Sequence, residues 1–141
     1  MLESGAHALG CTVFPAGVGQ TELQVQAMAH LCPRFYVGTP SFLKILLDKA
    51  GELRVDVSSL KLGLVSGEAL PGPLRADLSQ NGVDVLQAYA TADVGLIGYE
   101  SQAEEGLLLD EEILVEIVRP GTGDPVDAGE VGEVLVTPLR P

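Results

Sequence analysis

Proline, glycine and asparagine punctuate the first half of the chain at intervals that leave room for a strand and then a helix between breaks. Beyond residue 94 the intervals shrink until only strands fit. Cys11-Thr12-Val13-Phe14 reads as a short strand ended by Pro15, Gly17 and Gly19. Thr21 opens a helical stretch with Leu23, Ala27 and Leu31 on one face, and Pro33 ends it. Arg34 to Val37 reads as the next strand, broken by Gly38. Thr39-Pro40 is a helix start, because Thr caps well and Pro suits the first helical position. Phe42, Ile45 and Leu46 supply that helix's apolar stripe, and Gly51 is expected to stop it. Leu60 to Val65 reads as a strand, Ser66-Gly67-Glu68 as a sharp turn, Pro73 to Gln80 as a helix closed by Asn81-Gly82, and Val83 to Gln87 as a further strand.

Strand–helix alternation of this kind predicts an α/β fold, with a parallel βαβ sheet over residues 10–88 joined by right-handed crossovers. The strand signals at Val94–Tyr99, Gly106–Leu109, Ile113–Val118 and Val131–Thr137 leave no room for helices between them. They predict an antiparallel β meander over residues 94–137. The whole of 1–141 is expected to be one unit, with 1–93 its parallel α/β part and 94–141 its β-rich part.

Ligands of open α/β sheets bind beyond the carboxyl ends of the strands. Three segments leave those ends: Gly38-Thr39-Pro40, Ser66-Gly67-Glu68-Ala69 and Tyr89-Ala90-Thr91-Ala92-Asp93. Glycines let a flat ligand approach the backbone, Tyr89 offers an aromatic face, and Glu68 and Asp93 are hard oxygen donors suited to Mg²⁺. Charge narrows the partners. Eight Lys and Arg stand against 20 Asp and Glu, for a net charge of −12, so no basic cluster exists to grip a phosphate backbone. Residues 100–141 hold 11 of the acids and only Arg119 and Arg140 as bases, which reads as a solvated acidic face. No apolar run reaches the ~18 residues of a membrane helix, and no secretory signal is visible at the start. Cys11 and Cys32 lack metal-ligand spacing and are expected to be reduced and buried in a cytoplasmic protein; His7 and His30 are expected to be packed or at the surface.

Four ordered motifs carry a resemblance: Gly38-Thr39-Pro40-Ser41-Phe42, Val65-Ser66-Gly67-Glu68-Ala69-Leu70, Tyr89-Ala90-Thr91-Ala92-Asp93 and Gly129-Glu130-Val131-Gly132-Glu133-Val134. In order and interval the chain resembles the phenylacetate–CoA ligases, AMP-binding enzymes of the adenylate-forming acyl-CoA synthetase superfamily. The resemblance implies an ATP-dependent, AMP- and pyrophosphate-forming acid–CoA ligase with ATP, Mg²⁺ and coenzyme A as cofactors and an acid, favoured to be aromatic, as substrate. It implies that Tyr89, Ala90 and Thr91 meet the nucleotide, with Tyr89 stacked on adenine. The backbone of Ser66, Gly67, Glu68 and Ala69 would cover the other face of the ring. By the same resemblance Tyr36, Gly38, Thr39 and Pro40 border the acid pocket, with the glycine-rich Pro15–Gln20 close by, and Asp93 stands where the family's Mg²⁺-holding glutamate stands.

Two departures from the family pattern matter. The commoner signature is Tyr-Gly-x-Thr-Glu, whereas this chain has Tyr-Ala-Thr-Ala-Asp. Ala92 lacks the hydroxyl that the family places near the α-phosphate, and Thr91 is the neighbour able to replace it. Asp93 is one methylene shorter than Glu. The Cys/His zinc site of some members is expected to be absent. The family's phosphate loop, ribose-binding aspartate and catalytic lysine have no counterpart here, so the segment reads as the middle of a larger enzyme, inactive alone. As an excised unit it is expected to expose apolar surface through which copies can associate. The alternative is a stand-alone, non-catalytic interaction domain working through its acidic meander.

Overall fold

In the computed structural model, which describes residues 2–139, a five-stranded sheet carries three helices on one face, and a separate two-stranded sheet closes the chain. In chain order the elements are α1 (Leu2–Ala8), α2 (Thr21–Leu31), β1 (Phe35–Gly38), α3 (Pro40–Leu53), β2 (Leu62–Val65), α4 (Gly72–Gln80), β3 (Asp84–Thr91), β4 (Gly95–Glu100), β5 (Leu107–Leu109), β6 (Ile113–Val118) and β7 (Glu133–Pro138). The main sheet runs β1-β2-β3-β4-β5. β1, β2 and β3 are parallel, in the register Gly38↔Val65 and Val65↔Gln87. β4 then adds antiparallel to β3, and β5 antiparallel to β4. The expected meander therefore divides: its first half extends the parallel sheet, and β6 and β7 form a separate two-stranded sheet, with Val118 of β6 also bridged to Pro125.

Local chemistry explains the helix that matters most for the site. Thr39 is extended and its Oγ1 accepts from the Phe42 N–H at 3.4 Å, while Pro40 occupies the first turn. Leu43, Leu46, Leu47 and Ala50 recur with helical spacing and are buried. Leu43 and Leu47 join α3 to Val65 of β2, Leu78 of α4 and Val83 and Val85 beside and in β3, so that α3 and α4 share one core cluster over one face of the sheet, while Leu46 and Ala50 form a second cluster with Val25 of α2. Gly63 leaves room for the Val85 side chain of the neighbouring strand, since a Cβ there would lie 2.9 Å from Val85 Cγ1.

Several expectations are corrected. Cys11–Phe14 forms no strand, because no neighbouring strand is there to pair with it, and Phe14 is exposed. The N-terminal helix α1 was not foreseen; it buries none of its residues. On α2 the buried residues are Gln24 and Val25, not Leu23, Ala27 and Leu31; Leu23 and Leu31 face outward. The α3 stripe is rotated by one residue, leaving Ile45 exposed, and the helix runs through Gly51 to end at Arg54 in the left-handed conformation. Both cysteines are free, as expected, but exposed. Cys32 sits at the left-handed C-cap of α2, which places it outside the helix's packed face.

Candidate functional site

β1 ends at Gly38, and the next residues turn directly into α3. Tyr36 points to the helix-covered side of the sheet, where its ring packs with both core clusters. Phe35, its neighbour, faces the opposite way and is 52% exposed, which answers the choice that strand alternation left open. The Tyr36 Oη donates to the Thr39 carbonyl at 3.1 Å. Gly38 is what permits this: a Cβ there would lie 2.3 Å from Tyr36 Oη. The phenol is pushed up to about 12, chiefly by burial and then by the nearby Glu68 carboxylate, so it remains a donor at neutral pH.

A cavity of about 240 Å³ opens at this turn, lined by Val18, Gly19, Tyr36, Gly38, Thr39 and Phe42. Three expected pocket residues (Tyr36, Gly38 and Thr39) are therefore brought together, and the glycine-rich segment reaches them through Val18 and Gly19. Buried Gln24 holds that segment by donating from Nε2 to the carbonyls of Gly17 at 3.3 Å and Gly19 at 2.6 Å. Pro40 is not a cavity wall: it is fully buried beneath the first turn of α3. Phe42 takes that place, a residue missed as a wall because the helical stripe alone assigns it to the core.

The turn after β2 meets the turn after β1. Ser66 N–H donates to the Gly38 carbonyl at 3.0 Å, and Ser41 N–H donates to Glu68 Oε1 at 2.8 Å. Gly67 has φ +84°, a conformation that suits glycine, and a Cβ there would lie 3.5 Å from Thr39 Cγ2. Ser41's side chain, its N–H and then the Thr39 hydroxyl hold the Glu68 carboxyl below the usual range. Glu68 is thus a brace between the two turns, seated at the electropositive start of α3. Ala69 follows it, exposed.

Tyr89, Ala90 and Thr91 lie within β3, not in a loop after it, because β4 pairs with them through Ala90↔Leu96 and Thr91↔Gly95. A register irregularity between Tyr89 and Ala90 marks this stretch. Since Val65 pairs with Gln87, Tyr89 stands two residues further along the same sheet edge as the Ser66 turn. Its ring is 43% exposed. Thr91 Oγ1 accepts from the Val94 N–H at 3.1 Å and so caps the hairpin turn. Asp93 lies exposed in that turn. No three His, Cys, Asp or Glu side chains gather into a metal cage among the described residues. A lone carboxylate fits Mg²⁺ only where phosphate oxygens and waters complete the shell.

The fourth motif is architectural. A Cβ at Gly132 would lie 2.6 Å from the Val118 carbonyl and 2.7 Å from Ile117 Cγ2, so glycine there lets the chain enter β7 against β6. Gly129, at φ +90°, shapes the turn before it.

A family model described as AMP-binding enzyme matches residues 1–138. The chain belongs to the AMP-binding enzyme family. It is 32% identical over 142 residues to a phenylacetate-coenzyme A ligase of Aromatoleum evansii, covering 96% of this chain and 32% of that ligase. It is also 32% identical to the phenylacetate-coenzyme A ligase of Escherichia coli (strain K12), over 96% of this chain and 33% of that ligase. Among solved structures, a 2-hydroxyisobutyryl-CoA ligase in complex with 2-HIB-AMP and CoA superposes with a TM-score of 0.82 at 26% identity, over 96% of this chain and 31% of that one. The chain thus spans about a third of the length of the curated relatives it matches.

Proposed function

We propose that this chain supplies the acid- and adenine-binding loops of an ATP-dependent, AMP-forming carboxylic acid–CoA ligase, acting on an aromatic acid of the phenylacetate kind. The observation that carries the reading is the junction of a small, largely apolar cavity with the Ser66–Ala69 turn through Glu68 and Ser41. An aromatic acid would place its ring in the cavity, among Val18, Tyr36 and Phe42. Tyr89 would stack on adenine from the adjoining strand end, and the backbone of Ser66 to Ala69 would cover the other face.

In the first step a carboxylate oxygen of the acid attacks the α-phosphorus of ATP and pyrophosphate leaves. The acyl group then passes to the thiol of coenzyme A, with AMP as the leaving group. No protein nucleophile is needed; the chain's contribution is to hold the two anions in line and to exclude water. Asp93 would help to hold Mg²⁺, which would supply the charge neutralisation that lets the anions meet. Thr91, next to Ala92 in the chain, would supply the hydroxyl that Ala92 lacks. Its oxygen is engaged with Val94, so it would offer its hydrogen to phosphate.

Calorimetric titration with AMP and with ATP in the presence of Mg²⁺ tests the reading. Saturable binding is expected, weakened about tenfold or more by Tyr89→Ala, since stacking on an aromatic ring contributes ~1–3 kcal/mol per base. Absence of binding, or a Tyr89→Ala variant that binds as well as the parent, refutes it.

A further inference from the structure

β3 changes partners part-way along its length. Residues Asp84 to Gln87 pair with β2, and Ala88 to Thr91 pair with β4. The β3–β4 ladder ends at Ala88↔Tyr99, with Glu100, the last residue of β4, next in line opposite Gln87, so among the described residues no strand pairs with β3 before Gln87 on the β4 side. The Val85 carbonyl and the Gln87 N–H nevertheless have partners there, and both are side chains. Arg75 Nη1 donates to the Val85 carbonyl at 2.8 Å, and the Gln87 N–H donates to Glu100 Oε2 at 2.7 Å. The two side chains are locked to each other: Arg75 Nη2 lies 2.6 Å from Glu100 Oε1 and 2.7 Å from Oε2. Their side chains are only 21% and 10% exposed, and Glu104 adds a second carboxylate 3.5 Å from Arg75 Nη1.

A poorly exposed ion pair is a costly way to gain stability, because both charges lose water. Its attested use is to select one arrangement of the backbone among several. Here the arrangement selected is the course of β3 two residues before Tyr89. We propose that Arg75 and Glu100 are positioning residues that stand in for a missing strand and thereby fix Tyr89 for nucleotide. The inference rests on the nucleotide reading of Tyr89. Neither residue touches the cavity at β1, so they act on the adenine side of the site alone.

The test compares Glu100→Gln, Glu100→Ala and Arg75→Lys in the full chain, with AMP as the probe. Titrations are run well below each variant's melting temperature, where loss of stability alone leaves the affinity of the folded protein unchanged. Glu100→Gln retains an acceptor for the Gln87 N–H and should weaken AMP by about threefold, whereas Glu100→Ala should weaken it by about tenfold. Arg75→Lys keeps the charge but loses the fork that spans Val85 and Glu100, and should resemble Glu100→Ala. Hydrogen exchange at the Gln87 amide should accelerate in the same order. Parental AMP affinity in Glu100→Gln and Arg75→Lys, from a protein whose wild type binds AMP, overturns this inference and leaves the nucleotide reading intact. A wild type without AMP affinity overturns both.

Discussion

Adding one methyl group at Gly38 should reshape the cavity wall. In an unstrained strand position, Gly→Ala commonly stabilises by ~0.4–1 kcal/mol, because the unfolded chain loses freedom. Gly38 does not have the positive φ that would reverse this on backbone grounds. The sign is decided instead by Tyr36, whose Oη and Cζ would lie 2.3 and 2.7 Å from the new Cβ. The ring can escape only by rotating, which surrenders its bond to the Thr39 carbonyl. Overpacking costs ~1–3 kcal/mol and a lost hydrogen bond ~1 kcal/mol. Gly38→Ala is therefore expected to destabilise by about 1–3.5 kcal/mol, lowering the urea midpoint with little change in slope. Tyr36→Phe removes the shortest contact, so the double variant should be more stable than the two single effects added together, by about 0.5–1 kcal/mol. A Gly38→Ala protein with a raised midpoint, or strict additivity in the cycle, refutes the argument that this glycine exists to seat the tyrosine.

Three further outcomes follow from the same geometry. The Tyr36 phenol stands near 12 in the folded chain against an ordinary 10.0, so its contribution is fully present below pH 10 and is lost as pH climbs through 12. Two pH units at ~1.4 kcal/mol each put that loss at ~3 kcal/mol at most; urea titrations at stepped pH should show it in the parent and not in Tyr36→Phe. Gly132→Ala forces a Cβ against the Val118 backbone. It should cost about 1–3 kcal/mol and loosen amide protection in β6–β7 while leaving β1 to β3 unchanged, as hydrogen exchange would report. Leu78→Ala empties a fully buried position between α4 and the sheet. It should lower stability by ~2–5 kcal/mol in denaturant unfolding, and a loss below ~1 kcal/mol would contradict the shared α3–α4 core.

The alternation of strands and helices was legible because its breaks are local: Thr39-Pro40 caps a helix and Asn81-Gly82 ends one by chemistry confined to a few residues. Which face of a helix is buried was less so. On α2 the leucines lie outside and Gln24 lies inside, because the Gln24 amide finds two glycine carbonyls in the segment that leads into the helix. No periodicity announces a buried glutamine. Similarly, Tyr89-Ala90-Thr91 reads as a loop because the parallel partner stops at Gln87; only the long-range arrival of β4 makes it a strand. Of the motif residues at the β1 turn, Gly38 and Thr39 line the cavity, whereas Pro40 is buried in the first turn of α3 and Phe42 lines the cavity in its place. Arg75 and Glu100 carried no signal at all, being 25 residues apart on different elements.

The account as a whole turns on whether the turn after β1, the turn after β2 and the end of β3 serve one ligand. An acyl-adenylate analogue with a non-hydrolysable linkage, titrated into the isotopically labelled chain, asks this directly through backbone amide shifts. Joint, saturable perturbation at Gly38 and Thr39, at Ser66 to Ala69 and at Tyr89 to Thr91, with a single affinity, is the predicted result. Perturbations confined to one of these segments, or centred on β6–β7, would contradict it.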